Sequence, residues 1–415
     1  MPDGATGFAA LAAAFRHRNF RIYAIGNALS LVGLWVQRVA VGWLTWELTR
    51  SGTWLGIMVF ADLAPALLLG PIGGAIADRF DRKRIAMGAQ ALALVQAASL
   101  AALTMAGLID IYALLAFTVA LGVVSSFWQP VRLALMPALV ERPDLPAAIA
   151  IASMIFNLAR FVGPAVAGPI IVYAGVGPAF AVNAVSFLAF LVALAAMDLP
   201  RPKPRPRGGS SVLGDVMAGV RFAAAHAGIG PLLLLTLVVA AGVRPVAELL
   251  PGFADAVFDR GAGGLAMMTS ALGLGALVGG LWLARRGDRP GLTRATLTGA
   301  ALGGVAVAAF AATDVFPLAL LAISGAGVAI AISAVGAQTL VQTAVPDEMR
   351  GRVLSFYGLI FRSAPALGAL AMGAASEVVG LGPPVMVGAA LGVAACAWGW
   401  RRRARLAAAL EAAPA

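Results

Sequence analysis

Six ionisable side chains stand where hydrocarbon is expected: Arg38, Asp62, Arg160, Arg244, Glu248 and Arg362, each inside an apolar run. A charge at the centre of a bilayer costs about 2.5–3.5 kcal/mol on insertion scales, so each should face a cavity or a partner. The chemistry open to such a set is proton uptake by the carboxylates and anion binding by the guanidinium groups. Arg38 lies shortly before the end of the first run and Asp62 a similar distance after the start of the second, so they share a depth and are expected to pair. Such a pair orients two helices, or else Asp62 takes up a proton and releases Arg38 for an anionic substrate. Arg244 and Glu248 are four residues apart and so occupy one helix face, where they can interact. Glu248 and Asp62 are the candidate proton carriers, and Arg38, Arg160, Arg244 and Arg362 the candidate substrate contacts. Trp35 and Trp128 could wall a binding site or simply pack. Trp43, Trp46 and Trp54 read as an interfacial belt, Asp255 as solvated, Arg132 as part of a charge network in the loops, and His17 and His226 as interfacial.

The elements that must position these groups follow from composition. Of 415 residues, 61% are hydrophobic and 12% charged, with a mean hydropathy of +0.91. Soluble proteins carry about 25% charged residues, so this chain lies in a membrane. Its net charge of +11 is spread over polar segments too short to build a nucleic-acid groove. A bilayer core takes roughly 20 apolar residues per helix. Twelve stretches qualify, at 20–46, 54–77, 85–107, 111–139, 147–173, 178–198, 229–257, 264–284, 294–313, 315–342, 353–378 and 382–400. The predicted fold class is therefore all-α, with twelve transmembrane helices. The first run is too long for the core of a cleavable signal. The lone Cys396 permits no intrachain disulfide and reads as a small buried hydrophobe. No Walker loop, His-Glu-x-x-His or Cys/His cluster is present, so neither an enzyme, a metal site nor a cofactor is expected.

Of the Lys and Arg outside the apolar runs, nearly all lie in loops on one side, and only Arg50 and Arg260 fall in loops on the other. The positive-inside rule then places both termini in the cytoplasm. "PRPKPRPRGGSS" (200–211) reads as an extended linker. Residues 212–226 read as a short amphipathic helix on the inner membrane surface. The expected organisation is a six-helix bundle over 1–199, a linker with that helix over 200–228, and a second bundle over 229–415. Weak internal similarity supports a duplication: Arg38 and Arg244 lie 206 residues apart, and Arg160 and Arg362 lie 202 apart.

The densest charge lies in "GGAIADRFDRKR" (73–84), between the second and third runs. From Gly74 through Asp78, Arg79 and Arg82 to Arg84 it resembles motif A of the major facilitator superfamily, Gly-x-Leu-Ala-Asp-Arg-x-Gly-Arg-Arg/Lys, with Asp81 in place of the second Gly. A decayed copy, with Ala284 where the Asp would be, spans 280–287. The segment around Arg160, Gly163, Pro164 and Gly168 resembles motif C of proton-coupled antiporters, with two glycines replaced by alanine. The stretches 34–56, 70–84 and 345–353 resemble the branch of enterobactin exporters and macrolide-efflux-type proteins. This likeness implies two pseudo-symmetric six-helix bundles alternating between inward- and outward-open states. It also implies that Asp78, at the end of the second helix, meets the start of the eleventh near 350–353. A carboxylate beside a helix start is favourable by about 0.3–1 kcal/mol, so Gly74, Asp78, Arg79 and Arg82 are read as a conformational latch. Arg82 is expected to bind Asp78 or a group of the fourth helix, and Lys83 and Arg84 read as topology charges.

The reading implied is a proton-coupled exporter of a small amphipathic molecule, siderophore or drug, in a bacterial inner membrane. Its partners would be that small molecule, protons and the lipid bilayer, with no nucleic acid and a monomeric state. An importer of the same fold for a small anionic solute, and a non-transporting membrane sensor or assembly protein, remain the alternatives.

Overall fold

The structure, a computed structural model, describes residues 12–198, 212–287 and 290–411. The side chains of Asp78 and Asp347 and the linker 200–211 lie outside the described residues. In chain order the helices are α1 (Arg18–Thr49), α2 (Gly52–Arg79), α3 (Arg82–Met105), α4 (Ile111–Leu135), α5 (Leu145–Ala174), α6 (Val176–Ala195) and α7 (Val212–Ala225). There follow α8 (Ile229–Gly242), α9 (Val246–Gly252), α10 (Gly261–Arg286), α11 (Leu292–Ala312), α12 (Phe316–Ala344), α13 (Asp347–Val379), α14 (Gly382–Arg401) and α15 (Arg403–Leu410). Among the described residues there are 12 helical segments long and apolar enough to cross a membrane, with Ile229–Val257 counted as one. No strand occurs among these residues. Helices satisfy their own backbone groups, which is what hydrocarbon demands of a spanning segment.

Contacts divide the chain into two units, Met1–Leu44 with Ala61–Arg207, and Thr45–Phe60 with Gly208–Ala415. The turn between α1 and α2, with its flanking helix ends, thus belongs to the second unit. The first unit has a core of Phe20, Tyr23, Leu135, Phe190 and Leu194. The core of the second includes Leu232, Leu340, Val353, Leu406 and Leu410. Lipid offers little hydrophobic drive between helices, so close packing through small residues must hold the bundles together. Gly275 and Gly279 of α10 illustrate it: a Cβ there would sit 2.0 and 2.3 Å from the Ser324 and Val328 carbonyl oxygens of α12. Gly175 and Gly380, at φ 92 and 78, close α5 and α13 in a conformation that disfavours side chains.

Two features depart from a simple reading of twelve rods. The seventh span is broken: α8 ends at Gly242, Val243–Pro245 form a turn, and α9 restarts at Val246 before a π-helical segment, Phe253–Val257. Pro245 lacks the N–H that would continue the helix. The motif loop, in turn, is a set of caps. Asp81 accepts from the N–H groups of Lys83 (2.8 Å) and Arg84 (3.2 Å) and so N-caps α3, which explains an acid where the motif has Gly. Lys83 Nζ donates to the carbonyls of Ala195 (2.9 Å) and Met197 at the end of α6. Arg82 Nη1 donates to the Ala134 carbonyl of α4 at 3.1 Å. Of the two partners expected for Arg82, Asp78 or a group of the fourth helix, the described contact is with the fourth helix. Lys83, read as a topology charge alone, also closes a helix end.

Candidate functional site

In the first unit, α1, α2 and α5 bring five of the singled-out residues together. Arg38 Nη2 donates to Asp62 Oδ2 at 2.7 Å, the pairing expected from their shared depth. Both side chains keep access to their surroundings, at 53% and 32% exposure. One helical turn before Arg38, the Trp35 ring lies 5.2 Å from its guanidinium and 5.7 Å from that of Arg160. Such distances allow cation–π attraction on an indole face. Phe156 meets the Trp35 ring edge-on at 6.2 Å. The Trp35 indole N–H is buried with no hydrogen-bond partner. Gly163 permits this approach, since a Cβ on it would lie 2.3 Å from Trp35 Cβ. Pro164 is buried immediately beyond, as is Gly168 one turn later. The motif-C-like stretch therefore sets the α1–α5 distance under the cluster.

A buried polar chain fixes the rotation of α1. Asn183 Nδ2 donates to Gln37 Oε1 at 2.7 Å, Gln37 Nε2 to Gln96 Oε1 at 3.3 Å, and Gln96 Nε2 to the Phe117 carbonyl at 3.1 Å. Gln37 is 2% exposed and tied to α3 and α6. Neighbouring residues of a helix point about 100° apart, so anchoring Gln37 turns Arg38 away from that core towards Asp62. Sequence reasoning missed this chain. Its signal was three uncharged amides in apolar runs, at Gln37, Gln96 and Asn183.

In the second unit Arg244 sits in the break of the seventh span. Its Nη1 donates to the Phe361 carbonyl of α13 at 2.9 Å, and its guanidinium lies 3.8 Å from the Phe361 ring centre. Arg244 lies in the turn and Glu248 in the first turn of α9, so the continuous helix on which the two were expected to share a face is interrupted at this point. Pro245 separates them. Arg244, Phe361, Val243, Thr296, Ser333 and Cys396 help to line a narrow apolar cavity. Arg362 is exposed on α13.

The segment Thr45–Phe60 is held by two acids of the same unit. Asp255 Oδ2 accepts from Trp46 Nε1 at 2.9 Å and pairs with Arg50. Glu377 Oε1 accepts from Ser51 Oγ at 2.6 Å and from the Thr53 N–H at 3.1 Å, capping the start of α2. Between them the backbones meet: a Cβ on Gly373 would lie 2.1 Å from the Gly52 carbonyl oxygen, and one on Gly56 2.5 Å from Leu370 Cα. This corrects two expectations. Asp255 is paired rather than simply solvated, and Trp46, at 5% exposure, is packed rather than part of a belt. A solvent-facing reading failed because the partners come from segments some 200 residues apart in sequence.

Other singled-out residues take structural places. Trp128 packs edge-on against Phe190 at 5.6 Å on the inner core. Arg132 donates to Gln129 Oε1 at 3.1 Å. His17 Nε2 lies 2.7 Å from Asp144 Oδ2, while His226 Nδ1 accepts from the Gly228 and Ile229 N–H groups that open α8. Arg79 is exposed. A Cβ on Gly74 would meet nothing within 4 Å, whereas one on the preceding Gly73 would sit 2.3 Å from the Ser126 carbonyl oxygen.

Residues 9–415 match the family described as transmembrane secretion effector. The chain is similar to the enterobactin exporter EntS of Shigella boydii serotype 4 (strain Sb227), at 29% identity over 374 residues, covering 86% of this chain and 85% of that protein. It is similarly related to EntS of Escherichia coli O1:K1 / APEC, at 28% over 379 residues, with the same coverage. Its fold resembles a bacterial homologue of the iron transporter ferroportin in the inward-facing state, with TM-score 0.69, 16% identity and coverage of 94% and 98%. It also resembles the inward-open xylose transporter XylE from E. coli, with TM-score 0.68, 15% identity and coverage of 92% and 96%. The chain belongs to the transmembrane secretion effector family of the major facilitator superfamily, and is a multi-pass secondary transporter of small molecules.

Proposed function

We propose that the protein is a proton-coupled exporter of a siderophore-like amphipathic compound, acting as a monomer in a bacterial inner membrane with both termini cytoplasmic. The observation that carries this reading is the Arg38–Asp62 pair beside an indole flanked by two guanidinium groups. An aromatic substrate ring stacks in that setting, and its phenolic or amide donors hydrogen-bond the Asp62 carboxylate. A proton arriving from the outer side occupies the same oxygens, removes the acceptor and releases the substrate. Proton and substrate then exclude one another, which antiport requires. Arg160 and Arg362 contact substrate, Arg244 fixes the hinge in the seventh span, and Glu248 is the second candidate carrier. Asp78, with Gly74, Arg79 and Arg82, latches the cytoplasmic side, and the Glu377 and Asp255 contacts hold the outer ends of α1 and α2.

A membrane potential of 100 mV gives about 2.3 kcal/mol per proton, and one pH unit adds about 1.4. One-for-one exchange of a neutral substrate then sustains a gradient of roughly 500-fold. The test is uptake of a catecholate siderophore into inverted vesicles with an acid lumen. Accumulation that collapses with the pH gradient and is lost in Asp62→Asn supports export; accumulation only in right-side-out vesicles refutes it. The same pair gives the importer reading its physical form. If protonation of Asp62 frees Arg38 for an anion, proton and anion bind together and travel the same way.

A further inference from the structure

At the end of the last span, α14 delivers two indoles and a run of arginines to one place. The helix has 20 residues from Gly382 to Arg401, about 30 Å of rise, which matches the hydrocarbon thickness. Its last turn, with Trp398 and Trp400, therefore reaches the headgroup layer, where such rings are favoured. Three guanidinium groups lie on those rings. Arg402 is 4.5 Å from the Trp398 ring centre, Arg403 is 5.2 Å from that of Trp400, and Arg294, from the first turn of α11, is 5.8 Å from the same ring.

The arrangement is built rather than incidental to a tail. Leu406 and Leu410, 2% and 1% exposed, bury one side of α15 in the bundle core. Beyond α15, Glu411 accepts from the Gly291 N–H at 2.8 Å and the Thr293 N–H at 2.7 Å. Anchored at both points, α15 turns Arg402, Arg403 and Arg405 outward beside exposed Arg294. The one acid described at this junction has its oxygens engaged by backbone. Stacking occupies the flat face of a guanidinium and leaves its in-plane N–H donors for oxygen acceptors. Arg403 uses one of these on the Trp400 carbonyl at 3.2 Å.

We infer that Arg294, Arg402 and Arg403, set by Trp398 and Trp400, form a binding site for the phosphate headgroup of an anionic phospholipid. Charge and depth choose the occupant: a fixed cationic triad at headgroup level faces lipid phosphate before any soluble anion. Basic residues near an anionic surface each raise affinity about fivefold.

The test uses the full-length purified protein in detergent with equal amounts of phosphatidylglycerol and phosphatidylcholine, read by native mass spectrometry. The intact protein should retain phosphatidylglycerol selectively. Arg294→Gln with Arg403→Gln should cut that preference about 25-fold, whereas Arg142→Gln, an exposed arginine of the other unit, should leave it unchanged. A photoreactive phosphatidylglycerol on the unaltered protein should label peptides containing 292–296 and 398–405, a readout that survives if the double variant fails to fold. Equal retention of both lipids, labelling elsewhere only, or displacement of the lipid by millimolar inorganic phosphate would each overturn the inference.

Discussion

Gly163 supports the sharpest structural prediction. A Cβ there would lie 2.3 Å from Trp35 Cβ and 3.3 Å from Trp35 Cα, whereas ordinary contact begins at 3.4 Å. The obstructing atoms are backbone or fixed directly to it, so no rotamer change relieves the clash. Gly163→Ala must instead push α5 and α1 apart by about 1 Å, carrying Arg160 away from the indole. Overpacking of this kind costs about 1–3 kcal/mol, a drop of a few degrees in Tm for a chain of this size. Gly74→Ala is the matched control, because its added carbon meets nothing within 4 Å. The motif resemblance alone would rank Gly74 as the more sensitive position. Thermal unfolding of both variants in detergent, followed by tryptophan fluorescence, decides between geometry and motif. Equal stability of Gly163→Ala and wild type, or an equal loss in Gly74→Ala, would refute the packing argument.

Three other outcomes follow from particular contacts. Asp62→Asn should destabilise more than the double variant Asp62→Asn/Arg38→Gln, with a coupling of about 1 kcal/mol for a pair this exposed; a strictly additive cycle would mean the pair contributes nothing. Burial works to raise the Glu411 carboxyl, but hydrogen bonds from Thr293 and Gly291 and the nearby Arg286 charge outweigh it and hold it below the ordinary glutamate range. Its contribution to stability is then complete above the unfolded value of about 4.3 and is lost as pH falls through the lower folded value. The stability gap between wild type and Glu411→Gln should stay constant from pH 7 to 5 and close in stronger acid, and a gap that widens there would contradict the sign. Cys396, 2% exposed, should resist a membrane-impermeant maleimide until the protein is unfolded, so rapid labelling of the folded protein would show the cavity to be open.

Hydropathy made the twelve spans legible because bilayer thickness fixes helix length, and charge depth made Arg38 and Asp62 legible as a pair. What depth cannot supply is the direction in which a side chain points around its helix. Periodicity alone puts Arg244 and Glu248 on one continuous helix, whereas the helix is interrupted at Pro245, a break visible in the letters. Asp255 and Trp46 were read from their positions near the bilayer edge, while their mutual contact depends on packing across 209 positions of sequence. Lys83 and Asp81 looked like charges serving topology and motif, and their capping roles emerged only with the ends of α3 and α6 in place. The Gln37–Gln96–Asn183 chain was overlooked because uncharged amides do little to lower the hydropathy of a span, yet it orients Arg38.

The proposed exchange of proton for substrate at Asp62 is tested most directly by proton counting. Substrate added to the purified protein in weakly buffered detergent, with a pH indicator present, should release protons into the medium. Asp62→Asn should displace none. Linkage makes the result reciprocal, so acidification must then weaken substrate binding. Proton uptake on substrate addition, abolished by the same substitution, would mean that both bind together, and exchange at Asp62 would be ruled out.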